Sequence, residues 1–305
     1  MAIFGPTVEV NPPKRTQRMG RILETVQVHV PEEMSQNERD QLFFQSGVGA
    51  ERWKMGVEWR PDGLCLPAWS WGDYCQTEED VKDEGRIDTN AIGTAYPITV
   101  GGSYTCSTFS GETLDERVAH AWRAMELGQN WQIERELWSG AIATQQGTGN
   151  FFLTNGDAED LTGDGVDPLT WTTALARLQS ELVTCLGDAT GVIHMSAYAF
   201  SLYTVSGQVY KDPETGVFRD CFGNVVVAGA GYEPDNEPEF STLYGTGPIV
   251  VLLGVPQVVG SNETVATDRQ VNDVTVRVER EASVVVDDCC VLSVDADFEW
   301  PVPAT

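Results

Sequence analysis

The stretch from Thr113 to Gly140, TLDERVAHAWRAMELGQNWQIERELWSG, constrains this chain more than any other. Thr113 is followed three residues on by Glu116, the pattern of a capping box. Asp115 and Glu116 also suit the positive end of a helix dipole. Leu114, Val118, Ala121, Trp122 and Met125 recur at spacings of three and four. The apolar series continues less regularly through Trp131, Ile133, Leu137 and Trp138, and Gly140 then supplies a stop. The spacing predicts one helix over 113–139, about 40 Å long at 1.5 Å per residue. Gly128 is the place where it would bend or break. A rod of that length is too long for an average domain.

The elements after it mix helix and strand. Asp167 and Pro168 read as N-cap and first residue of a second helix, whose apolar face is Trp171, Leu175, Leu178, Leu182 and Leu186, with Gly187 as its stop. GVIHMSA (191–197), NVVVAGAGY (224–232) and GPIVVLLGVPQVV (247–259) read as buried strands. Residues 274–294 alternate like a half-exposed hairpin turning near Asp287 and Asp288. The fold class expected from this order is α+β.

Ahead of the long helix, residues 1–50 read as an extended arm, because Pro6, Pro12, Pro13 and Pro31 interrupt regular structure. The arm holds the basic cluster Lys14, Arg15, Arg18 and Arg21, which suits a solvated linker, a contact to an acidic neighbouring subunit or a contact to packaged nucleic acid. Next comes RWKMGVEWRPDGLCLPAWSWGDYC, where Pro61, Asp62 and Gly63 make a turn and Trp53–Trp59 and 64–71 would form a hairpin or two short strands. So many large rings suit either a contact surface or a small satellite core. The acidic tract QTEEDVKDEGRID (76–88) reads as a solvated loop.

Charge and motif content narrow the function. A net charge of -27 argues against a groove-binding reader of nucleic acid, whose affinity rests on clustered cations. No apolar run approaches the ~20 residues of a membrane span, and the first residues lack the apolar core of a signal peptide, so synthesis in a cytosol and no membrane partner are expected. The seven cysteines include no CxxC pair and are expected mostly as buried thiols, with a bridge between Cys65 and Cys75 left open. His29, His120 and His194 form no HExxH or HxH pair, and His194 reads as a packed residue rather than a ligand. No GxSxG occurs, and QQGTGNF (145–151) lacks the lysine and hydroxyl of a phosphate loop. In DLTGDGVD (160–167), Asp160, Thr162, Asp164 and Gly165 follow a calcium loop, but its twelfth position is Trp171 where a bidentate acid is needed. No catalytic residue, cofactor or metal ligand is assigned.

Several segments together resemble the major capsid proteins of tailed bacteriophages with the Hong Kong 97 fold, particularly those of phages of actinobacteria. ERELWSGAIATQQGTGN (134–150) is similar to the family's transition from spine helix to a short glycine loop. Residues 175–203, with VIHMS, resemble its next helix and strand, DCFGNVVVAGAGY (220–232) its axial element, and residues 276–298 its final strands. The resemblance implies an N-terminal arm (1–50), an extended loop region (51–100), a peripheral domain with the spine helix (101–155), an axial domain (156–250) and a return to peripheral strands (251–305).

The function it implies is self-assembly through hexamers and pentamers into an icosahedral virion shell in the bacterial cytoplasm. The shell would enclose double-stranded DNA without sequence-specific binding, with scaffold, portal and possible decoration proteins as further partners. Assembly contacts are then expected at Arg15, Arg18, Arg21, Trp53, Trp59, Trp69, Trp71 and Tyr74. The lysine-to-asparagine cross-link of some family members is not expected, because Lys54 and Lys82 are the only lysines near the loop and no partner is apparent. An encapsulin-like compartment and an acidic calcium-binding surface domain are the alternatives.

Overall fold

Thr113 begins the long helix as its sequence requires. In the computed structural model its hydroxyl accepts from the Glu116 N–H while the Glu116 carboxylate accepts from the Thr113 N–H, and the helix runs without a break to Ser139 before Gly140 turns left-handed at φ 56°. Gly128 leaves it intact. The structure describes residues 20–43, 49–59, 93–107, 111–163, 167–187, 189–232, 240–259, 266–268, 273–288 and 290–298.

In chain order, the described elements before this helix are α1 (Ile22–Thr25), β1 (Gln27–His29), α2 (Gln36–Leu42), β2 (Val57–Trp59), β3 (Gly93–Ala95) and β4 (Ile98–Ser107). The long helix is α3 (Leu114–Ser139), followed by α4 (Ala141–Gln146), β5 (Glu159–Asp160), β6 (Leu169–Thr170), α5 (Trp171–Leu186), β7 (Val192–Ser196) and α6 (Ala197–Val205). The remaining strands are β8 (Val209–Lys211), β9 (Phe218–Asp220), β10 (Val225–Gly229), β11 (Phe240–Thr246), β12 (Ile249–Leu253), β13 (Gln257–Val259), β14 (Ala266–Asp268), β15 (Asp273–Val286) and β16 (Val291–Asp297).

Among the described residues two large sheets stand beside the small two-stranded pair of β2 and β3. One is built on β15, which pairs with β4 along one edge and with β14, β13 and β12 in turn along the other, β1 then joining β12 in parallel. The second runs β5-β16-β11-β7-β10-β9-β8, with β6 beside β16. The expected hairpin over 274–294 therefore does not form: β15 and β16 lie in different sheets. The cause is long-range pairing, since Ala282–Val286 pairs with β12 and Val291–Asp297 with β11. Both chain crossings run side by side, joined by bonds from the Gly247 N–H to the Asp287 carbonyl and from the Asp287 N–H to the Pro248 carbonyl.

β7 shows how the layers meet. Every residue in it is buried, and the strand period sends Ile193 and Met195 into a core with Leu175, Leu178 and Leu182 of α5, while Val192 joins Trp138, Tyr232 and Tyr244 on the other face. A third, smaller core puts Ala121 and Met125 of α3 on Val276 and Val278 of β15.

Three local expectations change. The second helix starts at Trp171 rather than Pro168, because Leu169 and Thr170 pair with Ala296 and Asp297 as a short strand. From Gly20 onward the arm is not simply extended: it makes a helical turn, adds β1 to a sheet and forms α2 behind a Ser35 capping box. Cys185 and Cys290, expected as buried thiols, are joined as a disulfide, and Cys221 is exposed.

Candidate functional site

The long helix is joined to the rest of the chain by polar side chains on its inward face. Glu134, with no solvent exposure, accepts two hydrogen bonds from the Arg21 guanidinium at 2.8 and 2.9 Å, and two more from the Ile22 and Gly231 N–H groups at 3.2 Å each. One turn earlier, Asn130 accepts from the Leu23 N–H at 3.1 Å. A carboxylate buried with a bidentate guanidinium and two amide donors has its lone pairs filled, which is the condition for tolerating buried charge. Gly231 is required by the same contact, since a Cβ there would lie 2.6 Å from both the Arg135 nitrogen and the Trp131 oxygen of the helix backbone.

Toward the helix N-terminus the partner is β4. A Cβ on Gly102 would sit 2.2 Å from the Met125 nitrogen, so the glycine lets strand and helix backbones touch. The Gln132 side chain accepts from the Gly101 N–H at 3.0 Å and donates to its carbonyl at 2.8 Å. At the other end Glu136 accepts from the Ile142 and Ala143 N–H groups, both at 2.7 Å, and so caps α4 and fixes the turn at Gly140.

The third joint lies at β2 and β3. β2 and β3 pair antiparallel, Val57 with Ala95 and Trp59 with Gly93, so the chain between them departs and returns at one place. Trp53, 1% exposed, is buried below, in a 3-10 turn rather than the expected strand. Lys54 reaches Glu32 at 3.1 Å, Glu281 at 3.7 Å and Glu51 at 3.9 Å. Burial works against its charge, but the hydrogen bond to Glu32 and the charges of Glu281, Glu32 and Glu51 outweigh it and hold the ammonium above its ordinary pKa. Beside it Arg280 donates to the Gly254 carbonyl at 2.8 Å and to Gln129 of α3 at 3.2 Å.

His194 is packed, as its position in a strand suggested. Nδ1 lies 2.9 Å from the Tyr232 hydroxyl and Nε2 3.1 Å from the Thr246 hydroxyl, and complete burial lowers its pKa to about 3. Burial likewise pushes the Tyr232 hydroxyl well above its ordinary value. Tyr232 and Tyr244 flank Trp138 at 5.1 and 5.0 Å, so the neutral imidazole completes the packing of the helix end. In the calcium-like segment the Asp160 carboxylate accepts from the Thr162 N–H, closing a local turn, and the Thr162 hydroxyl accepts from the Asp295 N–H of β16. Among the described residues no three His, Cys, Asp or Glu side chains converge on a point where a metal could sit.

Of the residues expected to touch neighbours, Arg21 and Trp53 turn inward: one is paired with Glu134, the other fills a core. Trp59 lies half-buried in β2, and Arg15, Arg18, Trp69, Trp71 and Tyr74 lie outside the described residues. The apolar stripe of α3 is also narrower than its spacing suggests, since Leu114 and Trp131 are exposed, Trp131 beneath the Arg135 guanidinium at 5.2 Å. The joints are not legible locally, because Asn130, Gln132, Glu134 and Glu136 read as ordinary polar helix residues. The available signal was their spacing, two polar pairs four apart inside the most apolar stretch of the helix.

No protein-family model matches the sequence, and no curated protein does. Solved structures do. A chain of Gordonia phage Cozz aligns over 98% of this chain and 92% of its own, with a TM-score of 0.52 at 10% identity. The capsid of an empty GTA particle aligns over 97% and 96% with a TM-score of 0.51 at 11% identity. This chain shares their fold. The holo-SrpI encapsulin complex of Synechococcus elongatus has it too, at a TM-score of 0.51 and 12% identity over 99% of this chain and 96% of that one. At such low identity the shared fold is carried by the layout of helix and sheets rather than by common side chains.

Proposed function

We propose that this chain is a bacteriophage major capsid protein of the Hong Kong 97 type, which assembles through hexamers and pentamers into the icosahedral shell around double-stranded DNA. The observation that carries this reading is the fold shared over nearly the whole chain with the Cozz phage chain and the GTA capsid. In such a shell α3 is the spine of the subunit, and the joints at Glu134, Gly102 and Lys54 give it a fixed shape to repeat. The segment held at its root by β2 and β3, with the basic residues Arg15 and Arg18, reaches neighbouring subunits. The net charge of -27 keeps the inner wall from gripping DNA as it is packaged. No catalytic step is assigned, and scaffold and portal proteins are the expected partners of assembly.

Negative-stain electron microscopy of the purified protein, alone and co-expressed with the scaffold and portal genes of its source, tests the reading. Closed shells or capsomer rings are expected, filled with DNA when portal is present. A protein monomeric under every one of these conditions overturns it. An encapsulin-like compartment is the second reading, favoured by the SrpI match. Shells that copurify with an enzyme cargo and exclude DNA would select it.

A further inference from the structure

Cys185 lies in the last turn of α5 and Cys290 immediately before β16, their Cα atoms 6.1 Å apart and their sulfurs bonded. We propose that this pair is a redox-operated staple, open as two thiols while the chain folds and assembles and closed once the particle leaves a reducing cytosol. The timing rests on the capsid reading; the chemistry of the pair does not.

Its surroundings suit both states. Cys290 is 2% exposed in the core that includes Leu182, Leu186 and Leu292, and Cys185 packs against that core with one side open to solvent. As thiols they pack as small hydrophobes, so the fold does not need the bond to fill its core. A reducing cytosol keeps such thiols reduced, and an oxidising exterior does not. Cys185 is the reachable partner. Its thiolate attacks a low-molecular-weight disulfide, forming a mixed disulfide and releasing one small thiol; the Cys290 thiolate then attacks the Cys185 sulfur and releases the second. Two protein thiols give up two protons and two electrons, and one small disulfide takes them up.

The bond spans a sequence separation of 105 residues. That interval holds β7 to β15, strands of both sheets, and one end of the staple sits where the chain has just crossed from one sheet to the other. Closing so long a loop restricts the unfolded chain strongly, and the clamp acts where β16 would begin to peel from α5.

The test compares two samples. Cells making the protein are lysed directly into denaturant containing N-ethylmaleimide, so that buried thiols are labelled too, and purified protein is exposed to oxidised glutathione and then alkylated in denaturant; peptides are mapped by mass spectrometry. Label on Cys185 and Cys290 is expected in cells, and a Cys185–Cys290 cross-linked peptide after oxidation. Cys289→Ser keeps that cross-link and Cys290→Ser loses it. Oxidised protein melts roughly 5–10 °C above the same protein in dithiothreitol, and Cys185→Ser removes the difference. Free thiols after oxidation, a cross-link already complete in cells, or melting indifferent to dithiothreitol each overturn the staple. Microscopy scores shells separately: shells without the bond overturn the staple alone, and the bond without shells overturns the capsid reading alone.

Discussion

Arg21 and Glu134, 113 residues apart in sequence, meet in a bidentate ion pair that ties the N-terminal segment to the long helix. The pair has a second reach, because the same carboxylate also holds the Ile22 and Gly231 N–H groups. Two separate segments, Arg21–Ile22 and the one at Gly231, are therefore tied to the long helix by one side chain.

Glu134→Ala strands a buried guanidinium and two amide donors, so unfolding in urea is expected to show a loss of about 3–5 kcal/mol. Paired replacement, Arg21→Met with Glu134→Leu, is expected to recover a large part of that loss. Equal stability of Glu134→Ala and the parent would mean that the pair does not organise the joint.

Two glycines near the long helix are expected to respond in opposite directions to alanine. Gly102→Ala drives a methyl into the Met125 nitrogen at 2.2 Å and is expected to cost roughly 3 kcal/mol or to abolish soluble expression. Gly128→Ala meets only the Gln132 side-chain nitrogen at 3.3 Å, a contact relieved by a shift of a few tenths of an ångström that still leaves its 2.8 Å bond to the Gly101 carbonyl in hydrogen-bond range, and within a continuous helix it should raise stability by about 0.5–1 kcal/mol. Thermal melts of the two variants side by side check both signs.

His194 sets a pH dependence. Its folded pKa, about 3, lies below the unfolded value of 6.5, so between these the unfolded chain binds a proton that the folded chain refuses. The stability tied to the neutral ring is whole above pH 6.5 and falls as the pH drops through that window, by about 2 kcal/mol between pH 7 and pH 5. His194→Gln, measured by urea unfolding at both pH values, should lose less stability on acidification than the parent.

Lys54 is held among Glu32, Glu281 and Glu51 with its charge reinforced, which makes it a poor nucleophile for an isopeptide bond. Boiled particles on a denaturing gel are expected to run as single chains; a ladder of covalent oligomers would contradict this.

Much of the fold was legible where local rules and tertiary context agree. The capping box at Thr113 and Glu116, the stop at Gly140 and the α5 stripe from Trp171 to Leu186 appear as the sequence implies, because they depend on neighbours within a turn or two. The joints were not legible, since nothing local distinguishes Glu134 from an exposed helix glutamate. Its role depends on Arg21 and Gly231, which only the folded chain brings near. The expected contact residues divide for the same reason: pattern marks Arg21 and Trp53 as unusual, but not whether they face a neighbour or their own core.

By itself the sequence determined the length of the rod, the types of most elements and the acidic surface, all properties of short windows or of composition. Tertiary structure alone decided which strands share a sheet, that residues 273–297 divide between two sheets instead of folding back as a hairpin, and that Cys185 finds Cys290. Those outcomes turn on pairings between segments distant in sequence, where burying the apolar faces of β7, α3 and α5 together outweighs the local tendency of adjacent strands to pair with each other.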